Sequence, residues 1–96
     1  EIFSSSELDQ KARRLSVVQP RLTSTLLRQA PATVVVIFIV DENGRVQDPK
    51  VQRTTNPSFD RSAIAAIKQW KFEPAKVQGR SVSSRLRQSF SFENNT

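Results

Sequence analysis

The sequence contains no cysteine and no histidine. Without cysteine there is no disulfide framework, no thiolate zinc site and no thiol nucleophile. Without histidine the commonest general base and the commonest transition-metal ligand are missing too. Only two glycines are present, too few for a phosphate-cradling loop or a flexible glycine-rich linker. No apolar run approaches the roughly 20 residues a helix needs to cross a bilayer. No signal peptide is visible, and the abrupt opening Glu1-Ile2-Phe3 reads as the start of a fragment whose targeting segment lies upstream. The nine carboxylates are scattered. Asp41, Glu42 and Asp48 gather near one turn, but turns attract aspartate for backbone reasons. No cofactor, no metal and no catalytic constellation is expected, and the chain reads as a binding module.

What remains is a folded, basic chain. Ninety-six residues suffice for one domain and not for two. The 36% of hydrophobic residues cluster in a few runs, which argues against disorder. Fifteen basic residues oppose nine acidic ones, a formal charge of +6. That balance favours anionic partners: nucleic acid, a membrane surface or an acidic protein.

Residues 1–14 are polar, with Leu8, Ala12 and Leu15 at helical spacing on a thin face; they read as a linker end or a marginal helix, leaving 15–96 as the domain. Leu15-Ser16-Val17-Val18 reads as a short extended segment running into Gln19-Pro20. Thr23 or Ser24 can cap a short helix over Leu26-Leu27-Arg28-Gln29-Ala30, which Pro31 stops. Val34 to Val40 is uniformly apolar and mostly β-branched, which is strand chemistry. Asn43-Gly44 then signals a hairpin into a second strand, Arg45 to Thr54. Pro49 cannot donate a ladder bond, so that strand belongs at a sheet edge or carries a bulge. Asn56-Pro57 opens a helix of about three turns whose apolar stripe is Phe59, Ala63, Ile64, Ala66, Ile67 and Trp70. Its end is marked by Glu73-Pro74, and Gln78-Gly79 is a turn. Along the last strand Val82, Leu86, Phe90 and Phe92 alternate with outward residues, the odd positions from Ser83 to Ser91. The expected architecture is α+β: a three-stranded antiparallel sheet with two helices packed on one face, and the Val34–Val40 strand central.

Several of these segments resemble one family. Gln19-Pro20-Arg21, the strand ending Asp41-Glu42-Asn43-Gly44-Arg45-Val46, and Phe59-Asp60-Arg61-Ser62-Ala63-Ile64 are similar to the C-terminal domain of TonB, the energy transducer. So are Gln69-Trp70-Lys71-Phe72-Glu73-Pro74-Ala75, the turn Gly79-Arg80-Ser81-Val82 and the closing Phe90-Ser91-Phe92. The family motif Gln-Pro-x-Tyr-Pro ends here in Leu22-Thr23 instead. The resemblance implies a periplasmic domain of a protein anchored in the inner membrane by an N-terminal helix not present in this chain. It implies two partners: the TonB box, a short extended segment of outer-membrane transporters, and an ExbB/ExbD-type inner-membrane complex reached through the absent N-terminal part. A homodimer is a further candidate assembly.

An open three-stranded sheet has two edges, and an unpaired edge recruits another strand. Pro49 blunts one edge. The last strand has no proline from Val82 to Phe92 and is the available one, so strand addition is expected there. The candidate partner-binding residues are its outward positions Ser83, Arg85, Arg87, Ser89 and Ser91, with Gln19, Pro20, Arg21 and Leu22 taken from the family motif. Arg85 and Arg87 suit acidic residues on the incoming segment, or serve only to solvate the outer face. Trp70 and Phe72 read as core. Val35, Ile37 and Ile39 form an apolar stripe on the face away from the helices, covered by the N-terminal segment, another protomer or a partner. Two alternatives to the transporter-binding reading stand. One keeps the fold but makes it an envelope scaffold or adaptor without a TonB-box receptor. The other is a basic nucleic-acid-binding module; such modules stack bases on exposed aromatics, whereas these aromatics alternate onto the core side, so nucleic acid is not expected as a partner.

Overall fold

The computed structural model describes residues 2–3 and 7–93. Along the chain lie β1 (Ile2–Phe3), β2 (Arg13–Ser16), α1 (Ser24–Gln29), β3 (Ala32–Val40), β4 (Val46–Thr54), α2 (Asp60–Ile67), β5 (Lys71–Glu73), β6 (Ala75–Val77) and β7 (Arg80–Phe92). A 3-10 turn at Pro57–Phe59 leads into α2.

The three long strands form the expected sheet, to which β1 and β6 add short pairings along β7. β3 is central, antiparallel to β4 on one side and to β7 on the other. Its β-branched run faces the helices through Val34, Val36, Phe38 and Val40, all buried. These pack with Phe59, Ala63, Ala66 and Ile67 from the helical side and with Trp70, Phe72, Phe90 and Phe92. Phe59 meets Phe92 at 4.8 Å between ring centroids, and Trp70 meets Phe90 edge-on at 5.6 Å. The two helices are short. Thr23 Oγ1 accepts the Leu26 N–H to cap α1, and Asn56 Oδ1 accepts the Ser58 N–H at the start of the 3-10 turn.

Pro49 acts as its chemistry requires. β4 is an edge strand, and its register against β3 shifts between Ile37 and Ile39, where Asp48 takes φ 49° beside the proline. The hairpin before β4 closes with the Gly44 N–H donating to the Asp41 carbonyl and Gly44 at φ 82°. The positive φ falls on glycine alone, with a bulge after it, rather than on both Asn43 and Gly44. Burial acts to raise the Asp41 pKa. Hydrogen bonds from the Arg45 N–H, the Gln47 side chain and the Asn43 N–H outweigh it and hold the carboxyl below its ordinary 3.8.

Two expectations differ from the structure. The helix after Pro57 ends at Ile67 rather than near Glu73. The reason is competition for backbone partners: the Phe72 N–H donates to the Gly44 carbonyl at 2.9 Å, and β5 pairs with β2. Trp70 and Phe72 still reach the core, from an extended segment instead of a helix. The polar stretch before residue 15 forms no α-helix where it is described: Glu7 is in a 3-10 turn, Gln10 makes a β-bridge and Arg13 begins β2. Asp9 and Gln10 donate N–H groups to the Lys76 carbonyl, and the Lys76 N–H returns to Gln10. The Asp9 carboxylate also accepts the Gln78 N–H at the type I′-like turn joining β6 and β7. Ala12, Val18 and Leu22 then pack against the core from the helix side, so the described N-terminal residues do not cover the Val35, Ile37 and Ile39 stripe.

Candidate functional site

The geometry of β7 decides which of its backbone groups are free. Thr33 donates its N–H to Thr55 Oγ1 at 2.9 Å and accepts the Thr55 N–H at 3.0 Å, so its main-chain groups point towards the β4 side. Thr33 stands opposite Ser91, and the β3–β7 register is unbroken from Ala32↔Phe92 to Val40↔Ser84. In an antiparallel ladder the two members of a pair point their main-chain groups either at one another or away from one another. Ser91, Ser89, Arg87 and Arg85 therefore turn N–H and C=O to the flank away from β3.

That flank is occupied at one end only. β1 runs parallel to β7 at Ile2↔Ser83 and Phe3↔Ser84. From Arg85 to Phe92 no second strand pairs with β7 among the described residues. Arg85 borders β1, while Arg87, Ser89 and Ser91 present three N–H and three C=O groups. One of these acceptors is already engaged: Gln88 Nε2 donates to the Ser89 carbonyl at 2.9 Å.

A groove runs beside this edge. Its outer wall is the chain from Arg14 to Leu22, and its inner wall is Gln88 to Glu93. The space is about 490 Å³. It continues at Arg14 and Gln88 into a second stretch between Ala12–Arg14 and Leu86–Gln88, floored by Phe38 and Phe72. Trp70 holds the outer wall in place. Its Nε1 donates to the Val18 carbonyl at 2.9 Å, and the Arg14 guanidinium lies 5.9 Å from its ring centroid. Pairing of Arg13 and Arg14 with Glu73 and Phe72 holds the same wall from the other side. Leu15 is 67% exposed and Val17 48%, an apolar margin unusual for so polar a segment.

The residues singled out from sequence separate into three groups. Gln19, Pro20 and Leu22 line the groove together with Ser89 and Ser91. Arg87 lines its continuation. Arg21 turns to the opposite side, where it shares a depression with Arg61 and Ser62 at α2, and Gln19 touches both spaces. Arg85 is exposed on the outer sheet face, and Ser83 is half-buried beside β1. Arg14, Val17, Gln88 and the groove side of Trp70 were not evident from sequence. The extended reading of Leu15 to Val18 was the one available clue. Among the described residues, no three His, Cys, Asp or Glu side chains converge as metal ligands.

An open stretch of sheet edge beside a groove, on a sheet of three long strands extended by β1 and β6 and backed by two helices, places the chain among small α+β binding domains. The sequence model of the Gram-negative bacterial TonB protein C-terminal region matches residues 26–93, and the chain belongs to that family. Proteins named Protein TonB from two strains of Xanthomonas campestris pv. campestris are each 35% identical to it over 60 residues. The aligned stretch is 62% of this chain, and it spans 27% of the length of those curated relatives. The solution NMR structure of the Pseudomonas aeruginosa TonB CTD matches 100% of this chain and 97% of that one with a TM-score of 0.76. At 23% identity that likeness is one of fold.

Proposed function

We propose that this domain is the periplasmic, receptor-gripping part of a TonB-type energy transducer. It takes the TonB box of an outer-membrane transporter as an added strand on β7, in the groove walled by residues 14–22. Energy from the proton gradient reaches it through an ExbB/ExbD-type complex acting on a membrane-anchored part of the protein. The observation that carries this reading is the unpaired main chain of Arg87, Ser89 and Ser91 beside that groove. A seated strand could form about five main-chain bonds there, the Ser89 carbonyl being engaged already, each a net ~1 kcal/mol. That corresponds to roughly 0.2 mM affinity before side chains contribute, which suits a coupler that must release its partner. Gln19, Pro20 and Leu22 would close over the end of the segment nearest Ser91, and Arg87 would meet an acidic residue towards the other end.

The test is an NMR titration of the domain with TonB-box peptides from the source organism's transporters. Amide shifts concentrated on Arg87, Ser89, Ser91 and Gln19 support the reading. Shifts confined to β4 or α2 contradict it. No binding by any such peptide favours the adaptor reading, in which the fold is kept and the transporter partner is not.

A further inference from the structure

The face of the sheet turned away from the helices carries a pattern that strand addition does not use. The register places side chains in rows across it: Arg85, Ile39 and Gln47; Arg87, Ile37 and Lys50; Ser89, Val35 and Arg53. The centre is aliphatic, and each margin is cationic. Arg85, Arg87, Lys50 and Arg53 are all exposed, while Ile37 and Ile39 are half-buried and Val35 is buried. Among the described residues the ion pair that meets contact distance is Arg13–Glu73, elsewhere in the fold. Among the described residues two carboxylates border this face: Asp41, engaged by the Gln47 side chain at 3.0 Å at its hairpin end, and Asp48, which shares a shallow dimple of about 270 Å³ with Ile37, Ile39, Lys50 and Arg85. The helix side also has cations, Arg21, Arg28, Arg61 and Lys68, but these are spread over a loop and two helices, and the apolar surface between Arg61 and Lys68 is limited to Ile64 and Ala65 beside Asp60.

We propose that this face rests on an anionic phospholipid surface. Three considerations select that occupant. A second copy laid face to face would set four cations against four. A folded protein partner needs about 800 Å² on each side, whereas three strands about 4.8 Å apart and nine residues long offer only about 400 Å². A nucleic acid would need exposed rings on which to stack bases, and this row is aliphatic. Long cationic side chains bracketing a short aliphatic row match the boundary between headgroups and acyl chains, because their stems lie along apolar surface while their heads reach phosphate. Docked in this way the β7 edge lies in the membrane plane with its free flank open, so lipid contact and strand addition do not exclude one another.

Co-sedimentation with vesicles tests the proposal. The domain should sediment with vesicles of phosphatidylglycerol and phosphatidylcholine in equal parts, not with phosphatidylcholine alone, and high salt should release it. Each cation removed from the face should lower partitioning by roughly fivefold, so Arg85→Gln with Lys50→Gln should lose about 25-fold. Arg28→Gln with Lys68→Gln, matched in charge, should lose less than a third of that. Because the chain has no cysteine, a polarity-sensitive dye can be placed at Ser89→Cys on this face or at Ser58→Cys on the helix side. A blue shift on vesicles at position 89 and none at 58 supports the proposal. Equal losses for both variant pairs, the reverse dye pattern, or soluble polyglutamate displacing the domain from vesicles as well as salt does would overturn it. The first two outcomes would mean unspecific charge attraction or the wrong face, and the third an acidic protein as the partner.

Discussion

Proline at position 89 separates the two ladders of β7. The Ser89 N–H points to the open flank, so Ser89→Pro removes a donor that the β3–β7 ladder does not use. The residue before a proline is confined to extended geometry, which Gln88 already has inside β7. Edge positions whose N–H faces outward tolerate proline, so the fold should lose no more than ~1 kcal/mol. A strand seated on the edge would lose the bond to that N–H and, through the ring pressing on its neighbour, a second one. Two bonds at a net ~1 kcal/mol each amount to ~2 kcal/mol, or roughly a 30-fold weaker complex. Ser89→Ala keeps the main chain and should bind within about twofold of the parent. The assay is calorimetric titration with a TonB-box peptide, with thermal unfolding to confirm the fold. If Ser89→Pro is folded and binds within a factor of three of the parent, the peptide does not pair at this position and the edge argument is wrong.

Gly44→Ala should destabilise the domain by roughly 2–4 kcal/mol. A Cβ there would lie 2.0 Å from the Phe72 carbonyl oxygen, at a φ of 82° that disfavours any side chain; chemical denaturation measures the loss, and one below ~0.5 kcal/mol would refute the account. Trp70→Phe removes the donor to the Val18 carbonyl and weakens the Arg14 contact, so amide exchange at Arg14 to Val18 should quicken while β3 stays protected. Asp41 has a folded-state pKa below its unfolded value, so its charge stabilises the fold at neutral pH and the effect fades as pH falls through the depressed pKa. Asp41→Asn should therefore be less stable than the parent at pH 7, and the gap should close below about pH 3.8, as followed by denaturant midpoints across pH.

Local chemistry made the long elements legible in the sequence. Seven consecutive apolar residues from Val34 leave little choice but a buried central strand, and Pro49 announces both an edge and an irregularity. The alternation from Val82 to Phe92 showed which side chains of the last strand face outward, and the lack of proline there, against Pro49 on the other flank, pointed to the available edge. The short strands were hidden for the opposite reason. β2, β5 and β6 span three or four residues each, too few to show a period, and they exist because distant backbone groups complete them. The Phe72 N–H meets Gly44, and Gln10 meets Lys76, across separations that no local pattern encodes. The same limit hid half of the groove. Arg14, Val17 and Gln88 are unremarkable in sequence, and only the course of residues 10–22 past Trp70 sets Arg14 and Val17 opposite Gln88 of β7.

The irregular β4 has a consequence for stoichiometry. Pro49 lacks an N–H, and the register shifts on either side of Ile37 break up the row of groups that another chain would need. A module with two good edges could accept a visitor on one side while itself visiting a sister molecule on the other, and complexes would grow into chains. On the proposed strand-addition reading one side takes a visitor and the other is blunted, so an engagement would end at a single pair and its load would not be shared along a filament.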